Sequence, residues 1–212
     1  MNAGRSSVAY DFEQTHERIL KSALLHFGES GFSGASIRRI CADAGVTNGA
    51  FYSHFDSKED LFGQLVEPVV NGMKELYAQE NAPYLEIHSA SDITNVLEQT
   101  FSSNRILIRY LYDHAEIFRL LLTASDGTGY DGFCEHLAEC EMDSTMEFLE
   151  KCRPYIAHPE NITAGVVKRM SFFAVSSVFD SFLNGMTEEE TIRETCLSSS
   201  FCIAGLKQML GL

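Results

Sequence analysis

The chain has 212 residues, of which 45% are hydrophobic, and carries a formal net charge of −14 at pH 7. This length suits one large domain or two small ones. No apolar run approaches the ~20 residues of a membrane span, and the N-terminal sequence MNAGRSSVAYDFEQ lacks the apolar segment of a secretory signal. The six cysteines have no regular spacing, which is typical of reduced thiols in the cytoplasm. We therefore expect neither a membrane protein nor a secreted disulfide scaffold.

The negative charge is distributed unevenly along the chain. Residues 1–64 hold six basic and eight acidic side chains, which leaves −12 of the net charge for residues 65–212. A uniformly basic domain, the usual electrostatic sign of nucleic-acid binding, is absent. A few well-placed cations can still direct DNA to one face, because the acidic remainder repels phosphate from the other surfaces.

The first predicted element is an amphipathic helix. We expect residues 1–10 to form a disordered tail, with Arg5 as a candidate arm for a DNA minor groove. Asp11 is predicted to cap the helix, whose apolar residues follow the 3.6-residue period as far as Phe27. Gly31 is predicted to end it. This helix should complete a three-helix unit with the two short helices that follow.

Residues 36–58 have the pattern of a short helix, a glycine turn and a second short helix. Ser36 is predicted to cap the first helix, Gly45 to adopt the positive φ of the turn, and Thr47 to cap the second helix, 48–55. The second helix turns small polar and aromatic groups outward. Such a surface is poor core material and suits insertion into the DNA major groove.

One ordered series of residues over about fifty positions is specific as a whole, although each of its elements is weak alone. The series comprises Phe27, Gly31-Phe32, Ser36-Ile37, Ile40-Cys41, Ala44-Gly45-Val46, Gly49-Ala50-Phe51-Tyr52, His54-Phe55 and Ser57-Lys58-Glu59-Asp60-Leu61. It resembles the N-terminal domain of the TetR/AcrR family. The resemblance implies an all-α fold of about nine helices, with an N-terminal helix-turn-helix DNA-binding domain and a C-terminal helical ligand-binding and dimerisation domain. It also implies a homodimer, without a cofactor, that releases a double-stranded DNA operator when a small molecule fills the C-terminal domain.

The candidate DNA contacts lie on the two short helices and at the start of the next one. They are Ser36, Arg38, Arg39, Thr47, Asn48, Gly49, Tyr52, Ser53, His54 and Lys58. The resemblance assigns phosphate contacts to Tyr52, His54 and Lys58, and each of these side chains can donate a hydrogen bond to phosphate. Asn48 is the candidate for a base edge, because its amide can pair bidentate with adenine. The alternative for Tyr52 and His54 is that they only cover the core.

The remaining chain is predicted to be helical, with domains at 1–56 and 57–212. Ser57 and Asp60 form a near capping box at the start of a connecting helix, 57–79. Pro68 falls inside this helix and is predicted to kink it, either as a packing feature or as a pivot. Further helices are predicted over 91–114, 115–124, 130–153, 163–184 and from Thr187 to the C-terminus.

The last two helices, 163–211, are predicted to form the dimer interface. The apolar set of 163–184 is wider than one face, which indicates burial on two sides. The expected interface residues are Val167, Met170, Val178, Phe182, Cys196, Ser200, Ile203 and Ala204. We expect these helices to pair with their symmetry mates as a four-helix bundle, because a single short recognition helix provides too little affinity and specificity.

A cavity for a hydrophobic or aromatic effector is expected among the middle helices. Its predicted walls are Phe101, Arg105, Ile108, Tyr112, Phe118, Leu122, Phe133, Leu137 and Phe173. An apolar, aromatic-rich cavity with a few polar groups suits such a molecule. Aromatic residues at helical spacing are equally typical of a plain core.

Two other functions remain open. Cys134, His136 and Cys140 have a spacing compatible with two metal ligands, as in a metal- or thiol-dependent sensor or enzyme, although no third and fourth ligands stand at a recognisable spacing. A helical interaction module that no longer binds DNA fits the acidic charge balance. No GxSxG, HExxH or phosphate-binding glycine loop is present, so we expect neither an enzyme nor a metal site. The sequence favours a cytoplasmic, ligand-responsive DNA-binding regulator, most simply a repressor.

Overall fold

The computed structural model describes the backbone of residues 3–81 and 87–212, and the side chains of residues 11–80, 87–100 and 102–212. The described residues form nine α-helices and no strand, so the predicted all-α class is confirmed. The helices are α1 (Ala3–Gly34), α2 (Ile37–Asp43), α3 (Asn48–Phe51), α4 (Lys58–Asn81), α5 (Ala90–Asp113), α6 (Ala115–Thr123), α7 (Phe133–Cys152), α8 (Ala164–Leu183) and α9 (Glu188–Leu210). Among the described helices, none combines the length and hydropathy that crossing a bilayer requires.

The chain folds into two compact units. The first comprises Met1–Asn71 and His114–Gly132, and the second comprises Gly72–Asp113 and Phe133–Leu212. We expected one boundary at 56/57. Instead, the division falls inside α4, and α6 belongs to the first unit. Sequence order hides this arrangement because α6 follows α5 after a single residue, His114.

An aromatic core holds the first unit together. Phe27, Phe51, Phe55 and Phe62 are almost completely buried, and the ring centroids of Phe27 and Phe62 lie 5.2 Å apart. The residues Phe32 and Ile40 are also buried, while Leu24, Ile37 and Val46 are partly buried. Burying a phenylalanine side chain contributes about 1.5–3 kcal/mol, so these rings fix the short helices in place.

Helix α1 begins earlier than predicted. It starts at Ala3, so most of the segment expected to be a disordered tail is helical, and Asp11 lies inside the helix rather than at its cap. The side chain of Arg5, the candidate arm, is outside the described residues. Gly31 interrupts the helix with φ 69° and ψ 168°. Beyond this break the amide of Phe32 donates to the carbonyl of Ala124 at 2.9 Å, which ties α1 to the end of α6.

The segment that follows α6 also bonds to the first unit. The Ser33 hydroxyl donates to the carbonyl of Asp126 at 3.2 Å, and the Tyr130 hydroxyl donates to Glu67 at 3.2 Å. Burial and the nearby Glu67 charge raise the pKa of Tyr130 to about 12. The phenol therefore remains a protonated donor at neutral pH. Together with buried Phe118, these bonds account for the place of α6 in this unit.

Helix α4 starts where the sequence predicted. The Ser57 hydroxyl accepts from the amide of Asp60 at 3.1 Å, and the Asp60 carboxylate accepts from the amide of Asp56 at 2.8 Å. Pro68 lies within the helix, which continues past it to Asn81. A role for Pro68 as a pivot stays a prediction.

The second unit is built from α5, α7, α8 and α9 around an aliphatic core. Ile93, Leu149, Val167 and Leu210 are fully buried in it. Helix α9 begins with a capping box: the Thr187 hydroxyl accepts from the amide of Glu190, whose carboxylate accepts from the amide of Thr187 at 2.8 Å. Three glutamates in the first turn complement the helix dipole.

Candidate nucleic-acid interface and effector cavity

The turn between α2 and α3 has the geometry that the sequence predicted. Gly45 adopts φ 67°, a conformation that a side chain would strain. The Thr47 hydroxyl accepts from the amide of Ala50 at 3.1 Å and so caps α3. Ser36 occupies the N-cap position of α2 with extended backbone, but its side chain makes no cap hydrogen bond there. The helix-turn-helix is therefore set mainly by Gly45 and Thr47.

The recognition helix is shorter than predicted. Its α-helical part ends at Phe51, whereas we expected a helix over 48–55. The following residues form tighter turns, in which the amide of Ser53 bonds to the carbonyl of Ala50 at 3.1 Å. The Ser53 hydroxyl also donates to the carbonyl of Gly49 at 3.3 Å. Glycine and serine are weak helix formers, which accounts for the early end.

Most candidate DNA contacts are exposed on this unit. The exposed set comprises Arg38, Arg39, Thr47, Asn48, Gly49, Tyr52 and Ser53, whereas Ser36, His54 and Lys58 are half-buried. Tyr52 is 59% exposed although its ring is large and partly apolar. Its ring meets that of Phe51 edge-on, with centroids 5.1 Å apart, so the ring is anchored while its exposed surface remains available to a ligand.

Two arginines stand at the start of α2. The Ser22 hydroxyl donates to the carbonyl of Ile40 at 3.0 Å and to the Asp43 carboxylate at 2.8 Å, which holds α2 on α1. Arg38 and Arg39 are exposed, and none of the ion pairs among the described residues includes either guanidinium. They are suitably placed to contact phosphate or a guanine edge.

His54 is a weaker candidate for a charged contact. Its ring stacks on Phe12 with centroids 3.9 Å apart, and its Nδ1 atom is buried without a hydrogen-bond partner among the described residues. Burial, together with the neighbouring charge of His16, lowers the pKa of His54. The imidazole is therefore neutral at neutral pH and has one N–H to donate. The structure shows His54 covering the core, and its contact with DNA stays a prediction.

The ammonium of Lys58 already has partners within the protein. Its Nζ donates to the carbonyls of Phe32 at 2.7 Å and Ala35 at 3.2 Å, and lies 4.3 Å from the centroid of the Phe32 ring. These bonds satisfy carbonyls at the end of α1. One N–H of the three remains for a phosphate. A DNA contact by Lys58 stays a prediction, beside a structural role that the sequence did not indicate.

A cavity of about 270 Å³ lies within the second unit, between α4, α5, α7, α8 and α9. Of its predicted walls, Ile108, Leu137 and Phe173 line it. Phe118 and Leu122 do not, because they belong to the first unit, where Phe118 is fully buried. Helical periodicity indicated apolar faces correctly without indicating which unit they pack in.

The other predicted walls have different surroundings. Arg105 is exposed, and the Tyr112 hydroxyl donates to the carbonyl of Met186 at 2.7 Å. The ring of Phe133 packs against Phe179 with centroids 6.2 Å apart. None of these three described residues lines the cavity. The side chain of Phe101 lies outside the described residues.

The cavity also contains polar residues that sequence reasoning missed. The Glu141 carboxylate accepts hydrogen bonds from the hydroxyls of Tyr77 and Thr145, and the Glu80 carboxylate accepts from the Ser103 hydroxyl at 3.0 Å. Burial raises the pKa of Glu141. The sequence did contain a sign of this position. Glu141 follows the predicted wall residue Leu137 by four residues, so the two share one face of α7.

The predicted dimer residues divide between the interior and the surface. Val167 and Phe182 are buried within their own unit, so they are unavailable to a partner, contrary to our expectation. Met170, Val178, Cys196 and Ile203 are partly buried, and Ser200 and Ala204 are exposed. Helix α8 packs along α7 and also against α9, which explains why Val167 and Phe182 face inward.

A set of large apolar side chains on α8 and α9 is exposed instead. Leu197 and Phe201 on α9 are 62% and 80% exposed, and Phe172 and Leu183 on α8 are also exposed. Leu197 and Phe201 are four residues apart, so they share a face of α9 with Ser200 and Ala204. This four-residue spacing could have indicated an apolar face on α9 from the sequence alone.

The region of Cys134, His136 and Cys140 has no geometry for a metal. Among the described residues, no three His, Cys, Asp or Glu side chains are placed to hold an ion. Burial, with the charges of Glu135 and Asp180, raises the pKa of Cys134. Less of this thiol is therefore present as the reactive thiolate at neutral pH.

Comparison with known proteins identifies the N-terminal region. Residues 19–65 match the family described as bacterial regulatory proteins, tetR family. Over 72 residues the chain is 38% identical to the HTH-type transcriptional regulator AcrR of Shigella flexneri, and the match covers 34% of each protein. An uncharacterized HTH-type transcriptional regulator of Haemophilus influenzae is 22% identical over 183 residues, covering 86% of this chain and 82% of the relative.

The fold as a whole is also similar to solved structures. One is NalD, the secondary repressor of the MexAB-OprM multidrug efflux pump in Pseudomonas aeruginosa, with a TM-score of 0.62 and 18% identity over 90% of this chain and 95% of NalD. An exposed helix-turn-helix, in a chain whose relatives are named HTH-type transcriptional regulators, is typical of DNA-binding regulators. The match over residues 19–65 is narrower: this part of the chain is similar to the tetR family of bacterial regulatory proteins.

Proposed function

We propose that this protein is a ligand-responsive repressor that binds a palindromic operator as a homodimer and is released by a small effector in the cavity of the second unit. The observation that supports this most is the course of α4. Its first residue, Lys58, bonds to the end of α1 in the DNA-binding unit. Its last turns carry Met73, Tyr77 and Glu80, which line the cavity. One helix therefore joins the two sites.

The proposed DNA contacts divide into positioning and specificity. Tyr52, Arg38 and Arg39 are exposed donors suited to phosphate, which positions the protein without specifying sequence. Asn48, in the first turn of α3, is the proposed base contact, because an amide can pair with the Hoogsteen edge of adenine. The α3 segment has no arginine or lysine, so strong guanine recognition from this helix is not expected.

The proposed dimer uses the exposed face of α9 with Leu197 and Phe201, together with Phe172 and Leu183 of α8. Large apolar groups exposed on neighbouring helices are typical of a surface that is covered in the assembled protein. A two-fold pairing of these helices gives a four-helix interface and presents two recognition helices to one DNA molecule. Operators of this geometry have half-sites about 34–36 Å apart.

Effector binding is proposed to tilt α4 and change the spacing of the two recognition helices. A shift of a few ångströms is enough to lose simultaneous docking in two major grooves. Effector binding could also be transmitted through α5. Its residues Ile108 and Leu111 line the cavity, and α5 is followed, after His114, by α6. The description of NalD as a repressor supports negative control, which would operate in the cytoplasm at the operator.

Selection of bound sequences from random double-stranded DNA with the full chain tests this function. We expect a palindrome with half-sites about one helical turn apart. Tyr52→Ala should weaken binding of the selected sequence, whereas Tyr155→Ala, at a partly exposed tyrosine of the second unit, should leave it unchanged. Absence of any enriched sequence, or equal effects of the two variants, contradicts the proposal.

A further inference from the structure

The charged residues that line the cavity of the second unit are all acidic among those described. Among the described residues that line it, Glu80 and Glu141 are acidic, and none is lysine, arginine or histidine. Neither carboxylate takes part in any of the ion pairs among the described residues. The described lining of this cavity therefore supplies negative charge without a balancing cation.

Glu141 lies among apolar residues of the cavity lining. On its own helix it lies between Leu137 and Phe148, which line the same cavity. Its carboxylate has two neutral donors, the hydroxyl of Tyr77 and the hydroxyl of Thr145, the latter at 3.3 Å. Neutral hydrogen bonds offset part of the desolvation of a carboxylate, but a carboxylate away from water remains costly until a cation is close by.

The rest of the lining is suited to an apolar molecule. Most of it is contributed by aliphatic and aromatic side chains, including Val96, Leu107, Met170, Phe173 and Phe179. An apolar body could be buried there in contact with these groups while one polar end meets a convergent polar group. Of the described α7 residues in the lining, Glu141 is the one with a charged side chain.

We propose that this cavity takes an amphipathic cation, whose ammonium pairs with the Glu141 carboxylate while its apolar body fills the space between the helices. This rests on the proposed role of the cavity as the effector site. An anionic molecule such as a fatty acid is disfavoured, because its carboxylate would meet two others. A neutral molecule fits the space but leaves Glu141 without a charged partner.

The same contact provides a link to α4. Tyr77 lies on α4, and its hydroxyl bonds to Glu141 on α7. A cation that pairs with Glu141 competes for the carboxylate oxygen that this hydroxyl uses. The end of α4 that lines the cavity would thus respond directly to the charged end of the effector.

Isothermal titration of the full chain with four small probes of equal apolar length tests the charge preference. The probes are 4-phenylbutylammonium, 4-phenylbutyl-trimethylammonium, 4-phenylbutanol and 4-phenylbutyrate. We expect both cations to bind about tenfold or more tightly than the alcohol, because a charged partner strengthens the contact with a buried carboxylate. The carboxylate probe should bind most weakly. The trimethylammonium, which has no N–H donor, separates charge from hydrogen bonding.

Glu141→Gln should remove the preference for the cations and change the affinity of the alcohol by no more than about twofold. Asp143→Asn is the matched control, since it removes one exposed negative charge from the same helix and should keep the preference. An alcohol that binds the unmodified chain as tightly as the ammonium, a preference for the carboxylate, or no binding of either cation overturns the proposal. So does a Glu141→Gln protein that folds, as judged by circular dichroism, and retains the preference.

The titration contains no DNA, so its outcome is independent of the operator selection. Cation binding to a chain that selects no DNA sequence would support the site and contradict the proposed repressor. Selection of a palindrome, together with equal affinities for the charged and uncharged probes, would support the repressor and overturn the cation site.

Discussion

The two units of this chain place their polar side chains in opposite ways. In the first, an aromatic core is enclosed and the candidate DNA contacts, such as Arg38, Asn48 and Tyr52, lie outside it. In the second, Glu80 and Glu141 turn into a cavity, while large apolar groups such as Phe201 lie outside. A surface that meets DNA requires exposed donors on a rigid support. A site that encloses a small molecule requires polar groups inside and a scaffold that can respond.

The first unit also shows how rigidity is obtained in a small helical domain. The α3 helix is only one turn long, and an isolated helix of that length is unstable in water. It is held by the fully buried Phe51 and by Phe55 just beyond it, whose ring centroid lies 4.7 Å from that of His16 on α1. Its stability is therefore tertiary in origin, although its position in the chain is marked by the local signals of Gly45 and Thr47.

The largest expected effect tests whether α6 truly belongs to the first unit. Phe118→Ala removes a fully buried ring and should lower the free energy of unfolding by about 3–5 kcal/mol. Urea unfolding measures this change, and operator binding should weaken with it. The exposed neighbour Arg119 on the same helix provides the control, as Arg119→Ala should have a much smaller effect. Similar losses from the two changes contradict the assignment of α6.

A second change tests whether the outer apolar face of the second unit has a partner. The double variant Leu197→Glu with Phe201→Glu places charges where we propose the two-fold interface. The protein should become monomeric in sedimentation velocity, and operator affinity should fall about a hundredfold or more, because each half-site then binds alone. Gln208→Glu, at an exposed position of α9, should remain dimeric. A double variant that still sediments as a dimer refutes this interface.

A third, smaller effect separates the two roles of Lys58. Lys58→Met keeps an apolar stem but removes the bonds to Phe32 and Ala35, so the free energy of unfolding should fall by about 1–3 kcal/mol. If Lys58 also contacts phosphate, the slope of log affinity against log salt should become shallower by about one per half-site. Lys21→Met, at an exposed position of α1, is the control. Loss of stability with an unchanged salt slope assigns Lys58 a structural role alone.

The smallest expected effect concerns the pH dependence of the second unit. Burial raises the pKa of Glu141 above its ordinary value of 4.5, against the opposing hydrogen bonds from Tyr77 and Thr145. The folded state therefore binds the proton more tightly than the unfolded chain does. The stability that this provides is fully present below pH 4.5 and is lost as pH rises through the folded pKa. Glu80 is the other acidic group of the cavity and faces the same space.

Urea unfolding of the unmodified chain and of Glu141→Gln at several pH values measures this linkage. The unmodified chain should lose stability relative to the variant as the pH is raised from 4.5 toward neutrality. Asp143→Asn should show no such trend, because Asp143 is exposed. The two proteins are compared by their free energies of unfolding. If the difference between them is constant with pH, or changes in the opposite direction, the carboxyl of Glu141 is not buried as described.

The features that the sequence determined by itself are those made by neighbouring residues. The positive φ of Gly45, the cap at Thr47 and the near capping box of Ser57 and Asp60 were predicted, and all three occur. Each depends on a hydrogen bond or a backbone conformation within a few residues. The helix-turn-helix could be recognised for the same reason, since its identity depends on a short, ordered set of such signals.

Tertiary structure alone decided what each helical face packs against. The same periodicity described Phe118 and Ile108, but the first lies in the core of one unit and the second lines the cavity of the other. The predicted dimer face likewise included Val167 and Ala204, of which the first is buried and the second is exposed. A 3.6-residue repeat specifies which side chains share a face and leaves its partner open, because that partner is chosen by packing between residues far apart in the chain.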